Sequence, residues 1–315
     1  MAAYITRRLA AILPTLFLVL IIVFFLIRLI PGDPAAVMLG PDASPEDIER
    51  LRHLMGLDQP LMVQFGRYLL RVFRGDFGMS IAFHMPVTKL ILQRLETSFL
   101  LALCSAVVVF CLGVPPGILA AVKRNTWIDQ FLLMFALLGA SIPSFWLGLM
   151  LMLAFAVKIP LFPTSGFSSV FQTGNLANFR YLVLPSLTLG FVNSALVARL
   201  TRSSMLEVLQ EDYVRVARSK GVRESRVILK HALRNAAIPI VTVFSFTFAG
   251  LMSSAVVTES VFALPGVGRL VVESVLRRDY PTIQGLMIMI AFLYLIINLI
   301  TDITYAFIDP RIRYD

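Results

Sequence analysis

The side chains that could do chemistry in this chain are few, and their placement excludes more than it allows. An ion-coupled carrier displays Asp, Glu or His inside its apolar segments, where a buried charge is costly and therefore functional. Here Glu259 stands at one end of an apolar stretch and Asp302 near one end of another, with no ionisable residue at mid-depth. His53, His84 and His231 all fall in polar loops, so a Ser/His hydrolase within the apolar segments has no base. Cys104 and Cys111 lie on one face of a single apolar helix, where they act as small hydrophobes and not as a disulfide framework. No cluster has metal-ligand spacing, and no G-x-x-x-x-G-K-[ST] cradles a phosphate. The reading is a chain without catalytic residues, metal or cofactor, and without an energy source of its own.

What remains is a surface for binding. From Arg199 to Arg234 there are nine Lys/Arg against four Asp/Glu, set between long apolar segments. Ser203 to Lys220 is expected to continue helically out of the preceding segment, with Met205, Val208/Leu209 and Val216/Ala217 forming an apolar stripe. Glu211 and Asp212 precede Arg215 at i,i+4 and i,i+3, which supports a helix. Gly221 can take a left-handed conformation and end it, and a second helix is expected from about Arg223. Two roles are open to such a short amphipathic helix. It can lie in a groove of another protein, or rest on the membrane surface.

The elements that hold this loop follow from composition. The 315 residues are 58% hydrophobic and 15% charged, with a mean hydropathy of +0.82. A soluble domain carries about 25% charged residues, so the chain is an integral membrane protein. Its net charge of +9 reflects loop Lys/Arg beside apolar spans and does not point to nucleic acid. Six segments reach spanning length, near 9–30, 98–122, 130–157, 182–200, 237–260 and 284–308. Arg7-Arg8, Lys123-Arg124, the 199–234 loop and Arg311/Arg313 then share one side, the cytoplasm, and both termini are inside. The expected organisation is a first helix within 1–30, an external insert over 31–96, and a five-helix core over 97–315 with a cytoplasmic loop at 201–236. The first apolar run is too long for a signal peptide and is read as retained. In the insert, Ser44-Pro45-Glu46-Asp47 reads as a capped helix start and Gly56 as its stop.

The identities in the loop carry a resemblance. Ala217-x-x-x-Gly221, then nine residues, then His231-x-Leu233-Arg234-Asn235 resembles the cytoplasmic EAA loop of ABC importer permeases. It departs from the general pattern at Arg215-Val216 and at His231-x-Leu233-Arg234, in the manner of the dipeptide, oligopeptide, nickel and glutathione branch. Further segments are similar to that branch: Pro31-Gly32-Asp33-Pro34, Gly75-Asp76-Phe77-Gly78-x-Ser80, Leu184-Pro185-Ser186, Thr201-Arg202-Ser203-Ser204, Glu259-x-Val261-Phe262 with Pro265-Gly266-x-Gly268-Arg269, Arg278-Asp279-Tyr280-Pro281, and Asp309-Pro310-Arg311-Ile312-Arg313. The long external insert resembles the first of the two permeases in such systems.

The resemblance implies a type I importer-like permease in a bacterial inner membrane, crossing it several times. It implies a second homologous permease, two cytoplasmic ATPase subunits that bind ATP and Mg, and a periplasmic or lipid-anchored substrate-binding protein, with di- or oligopeptides as cargo. Glu211, Asp212, Tyr213, Arg215, Ala217, Arg218, Lys220 and Gly221 would form the helix that couples to the ATPases. Ser141, Ser144, Trp146, Asn193, Ser245 and Ser253 are candidates for lining the pathway, against the plainer roles of proline kink and helix glue. Gly113-Val114-Pro115-Pro116-Gly117 has a small-xxx-small form, but its prolines suggest a kink or break. Arg269, Arg278 and Asp279 are candidates for meeting the binding protein, against local ion pairing with Glu273. A self-contained channel or secondary carrier is the alternative, and the missing mid-span charge counts against the carrier.

Overall fold

The computed structural model describes residues 2–29, 34–40 and 43–308, with backbone alone for 2–11, 26–29, 34, 37–38, 55, 253 and 305–308. The motifs at Pro31-Gly32-Asp33 and Asp309 to Arg313, like the side chains of Arg7 and Arg8, lie outside what is described. Among the described residues the structure is helical, with one isolated antiparallel bridge between Met79 and Pro86. Four helices among the described residues are long and apolar enough to cross a membrane: Val87–Val122, Leu176–Leu209, Glu224–Met252 and Tyr280–Thr304. A fifth exists if the bent pair Trp127–Ser141 and Ser144–Lys158 is one span, and α1 adds the apolar stretch Ile12–Phe25.

The chain divides into two compact units. The first comprises Met1–Glu96 with Arg269–Ile296. It holds α1 (Ala2–Leu29), α2 (Pro34–Leu39), α3 (Pro45–Met55) and α4 (Leu61–Phe73). The start of α5 (Val87–Val122) belongs to it as well. Ser44 caps α3 by accepting from the Asp47 N–H at 3.1 Å, with Pro45 at the first helical position. Gly56, left-handed at φ 65°, ends it, as the sequence leads one to expect. In this unit Leu20, Val23 and Ile288 are buried together, with Tyr68, Leu69 and Val72 of α4 packed against them.

The second unit, Thr97–Gly268 with Ile297–Asp315, is built around a long central helix. Its elements are the rest of α5, α6 (Trp127–Ser141), α7 (Ser144–Met152) with a π-helical turn at Leu153–Lys158, and α8 (Val170–Thr173). There follow α9 (Arg180–Leu209), α10 (Asp212–Ser219), α11 (Glu224–Arg226) with a second π-helical turn at Val227–Ala232, and α12 (Leu233–Val261). The helices α13 (Val267–Leu276) and α14 (Tyr280–Ile308) complete the chain. Leu182, Leu184 and Leu189 of α9 are buried against Leu101 and Val109 of α5 and Leu251 of α12.

Two expectations need correction here. α5 runs unbroken through Pro115 and Pro116. Its glycines serve close packing instead: a Cβ on Gly117 would sit 2.6 Å from the Ala198 carbonyl, and one on Gly113 2.8 Å from the Val197 side chain. Small residues let two helix backbones approach, and a membrane helix tolerates proline when its neighbours satisfy the backbone. The third apolar segment, by contrast, turns by 98° between α6 and α7. Ile142 is pushed into an extended conformation (ψ 127°) by the ring of Pro143, itself extended at ψ 131°. Two successive extended residues end one helix and start another, which exceeds a proline kink.

Candidate functional site

The basic loop is a folded device with an inner and an outer face. α9 ends at Leu209 with Gln210 as its C-cap, and Glu211 takes an extended ψ of 146° as the N-cap of α10. This break resets the helical phase. The expected stripe through Val216 is therefore wrong: Val214 and Ala217 face inward onto Val227 of the π-helical turn, with Leu209 and Val222 alongside, while Val216 is half exposed. Asp212, Arg215, Val216 and Ser219 fall on the opposite side of the helix, since successive residues turn by about 100°. A solvent-facing apolar residue flanked by a carboxylate and a guanidinium makes a ridge suited to another protein's groove.

The end of α10 is fixed by its backbone. Gly221 at φ 73° donates its N–H to the Arg218 carbonyl at 2.9 Å, and Val222 donates to the Ala217 carbonyl at 3.2 Å. That is a Schellman closure, completed by the apolar contact of Val222 with the cluster under Ala217. Arg218 adds a forked ion pair to Glu224, with Nη2 to Oε1 at 2.7 Å and Nε to Oε2 at 3.2 Å. Donation of these hydrogen bonds to the Glu224 carboxylate raises the pKa of Arg218 above its ordinary value. Asp212 and Arg215 pair at 3.3 Å, and Arg215 also donates to the Gln210 carbonyl. Asn235 donates to the Tyr213 hydroxyl at 2.7 Å and to the His231 carbonyl at 3.1 Å, which ties the second half of the loop motif to α10. Lys220 and Gly221 are exposed at the tip. The eight residues singled out from sequence thus form one continuous turn, though Ala217 supports it from beneath.

One pair beside this loop escaped the sequence reading. Arg202, seven residues before the end of α9, grips Asp129 in the first turn of α6 with Nε and Nη2, each at 2.7 Å. Asp129 is buried and also accepts the Asn125 N–H at 3.0 Å. Arg202 stands in the Thr201-Arg202-Ser203-Ser204 motif, but nothing in the sequence points across 73 positions to its partner.

The other candidates separate. Ser141 donates to the Leu137 carbonyl and Asn193 to the Leu189 carbonyl, each one turn back on its own helix. Trp146 is half exposed, Ser144 and Ser245 are partly buried, and the Ser253 side chain lies outside the described residues. In the first unit, Asp279 is withdrawn as a contact for an outside partner. It is fully buried, accepts from the Ser80 hydroxyl at 2.5 Å and the Thr282 hydroxyl at 2.8 Å, and caps α14. The Gly75–Ser80 and Arg278–Pro281 motifs are therefore two halves of one buried contact. Arg269 pairs with Glu273 at 2.8 Å, the local ion pair foreseen as its plainer role, and Arg278 is exposed at φ 53°.

Glu259 is equally buried, in the second unit. The Ser98 hydroxyl donates to its Oε1 at 2.5 Å and accepts the Val267 N–H at 2.7 Å. A Cβ on Gly266 would fall on the Glu259 carboxylate, and one on Gly268 would lie 2.7 Å from Val256 Cα. The Pro265-Gly266-x-Gly268 motif thus marks where backbone closes over a buried carboxylate.

Family models and curated relatives place the chain in one family. Residues 113–314 match the family described as binding-protein-dependent transport system inner membrane component, and residues 1–102 match its N-terminal counterpart. The chain is 43% identical over 315 residues, all of both chains, to a Brucella abortus protein named as a peptide transport system permease. It is 43% identical over 314 residues, again end to end, to the glutathione transport system permease protein of Escherichia coli K12. A solved amino acid ABC transporter is 16% identical at a TM-score of 0.46, covering 71% of this chain and 95% of that one.

Proposed function

The chain belongs to the family of binding-protein-dependent transport system inner membrane components, and from that premise we propose that it is half of the pathway of an ATP-driven importer of peptide-like solutes. Membership makes it a permease subunit of an ABC transporter, with no catalysis of its own. The finer reading is that it crosses a bacterial inner membrane six times with both termini in the cytoplasm. It pairs with a second, homologous permease and receives di- or oligopeptides, glutathione among them, from a periplasmic or lipid-anchored binding protein. Two cytoplasmic ATPases seize the ridge of α10, and ATP with Mg is held in them.

The observation that carries this reading is the closed turn Glu211–Val222. It is rigid at its end through Gly221, braced by Arg218–Glu224, and seated on the start of α12 through Tyr213 and Asn235. A push on the ridge therefore reaches α9 and α12 together. ATP-bound partners must favour one permease state by about 5.5 kcal/mol to move a 1:99 population to 99:1, and a floppy loop could not deliver that difference.

The test is uptake by the complex reconstituted with its second permease, ATPases and binding protein. Gly221→Pro is incompatible with φ 73° and removes the bond to Arg218. Ala217→Asp places a carboxylate in the apolar seat formed with Val214 and Val227. Both should abolish ATP-dependent uptake while the chain still inserts. Gly221→Ala carries only left-handed backbone strain of about 1–2 kcal/mol, with nothing within 4 Å of its new methyl, and should keep most of it. Full uptake with the proline and aspartate variants would overturn the coupling role, and solute flux through the chain alone would replace it with a channel.

A further inference from the structure

We infer that α4 is an interfacial helix that lies in the phospholipid headgroup region and sinks one apolar stripe into the acyl chains. This rests on the chain spanning a membrane, and not on the coupling role of α10.

Around α4 the side chains fall into three stripes. Phe65, Tyr68, Leu69 and Val72 turn to α1. Phe65 packs edge-on against Phe24 with centroids 5.0 Å apart, and Tyr68 packs on Phe24 at 5.4 Å. Met62, Leu70 and Phe73 stand beside that stripe, at i, i+8 and i+11, and cover nothing in the protein; they are 84%, 58% and 76% exposed. Arg67, Arg71 and Arg74 occupy the far side, and from Leu61 to Arg74 there is no acidic residue. A wide apolar arc backed only by arginine is the pattern of a helix lying at a bilayer surface, with guanidinium groups near phosphates.

The position of α4 agrees with its pattern. Within the same unit Gln284, in the second turn of α14, donates to the Val23 carbonyl at 3.1 Å, and Ile288 packs on Leu20 and Val23. The start of an apolar spanning helix thus lies level with residues 20–24 of α1, where α4 also packs. At that level α1 leaves Phe17, Leu18, Ile22 and Phe25 exposed. The bare stripe of α4 continues a surface that the bilayer already has to cover. Asp76 stands 3.9 Å from Arg71 as the one nearby acid of this face among the described residues, so the arginines keep a net positive charge that a phosphate layer suits directly.

The full chain in phosphatidylcholine–phosphatidylglycerol vesicles tests this. A single fluorescent thiol label is placed at Met62→Cys, Phe73→Cys or Arg71→Cys, with Cys104→Ala and Cys111→Ala. Labels at 62 and 73 should lose their emission to nitroxide lipids labelled high on the acyl chain and resist aqueous iodide; the label at 71 should show the reverse. Native Cys111, exposed on α5, is labelled in parallel chains that keep it and carry Met62→Ser, Phe73→Ser or Arg71→Ser. Its quenching by nitroxides near the chain end shows that the substituted chains have inserted. Equal iodide quenching at 62, 71 and 73 would put α4 in water and overturn the inference. Protection at 62 and 73 from both quenchers would overturn it too, in favour of a covering protein.

Discussion

Arg202 and Asp129 should be unequal partners, and the inequality can be measured. Asp129 keeps 3% of its side-chain surface and Arg202 keeps 21%. Breaking a buried ion pair costs about 3–5 kcal/mol because it strands a charge. Arg202→Ala leaves a sealed carboxylate with one remaining donor, the Asn125 N–H at 3.0 Å, and should reach the upper part of that range. Asp129→Ala leaves a guanidinium that is already one-fifth exposed and can swing toward water on its long stem, so about 2–3 kcal/mol is expected. The double variant Asp129→Leu/Arg202→Leu removes both charges and should cost less than Arg202→Ala alone. Unfolding in mixed micelles of mild and denaturing detergent gives these differences, and a tenfold shift in the equilibrium corresponds to about 1.4 kcal/mol. Equal losses for the two alanine variants, or a larger loss for Asp129→Ala, would refute the solvation argument. No loss in either would mean that the pair contributes nothing to holding α6 against α9.

Two further outcomes follow from the buried carboxylates. Gly268→Ala should abolish uptake without preventing insertion, since its methyl would meet the Val256 backbone at 2.7 Å and backbone cannot yield as a side chain can; normal transport would show that α13 moves freely. Asp279→Ala removes the cap of α14 and the acceptor of Ser80, at about 1–3 kcal/mol. It should expose the 75–86 turn to protease from outside, and unchanged cleavage would count against the contact.

The boundaries of short elements were legible wherever one residue type has a single local solution. Ser44-Pro45 starts α3, Gly56 stops it, and Gly221 ends α10, because capping and left-handed backbone depend on immediate neighbours. Periodicity failed where the helix is interrupted. A stripe carried through Gln210–Glu211 puts Val216 inside, but the extended Glu211 breaks the phase there and leaves it half exposed. The prolines of α5 misled in the opposite sense, since a proline reads as a breaker until a neighbouring helix is seen to support it.

By itself, then, the sequence determined the permease class, most of the apolar helices and the residues that end the short ones. All of these depend on composition or on residues within a few turns of one another. Only the tertiary structure decided which polar residues are spent inside: Asp129 on Arg202, Asp279 on Ser80, Glu259 on Ser98. Each of those carboxylates reads as a surface charge in the linear chain. Each becomes a buried joint because its partner, from 73 to 199 positions away, arrives from another part of the chain and meets the hydrogen-bonding need that burial creates.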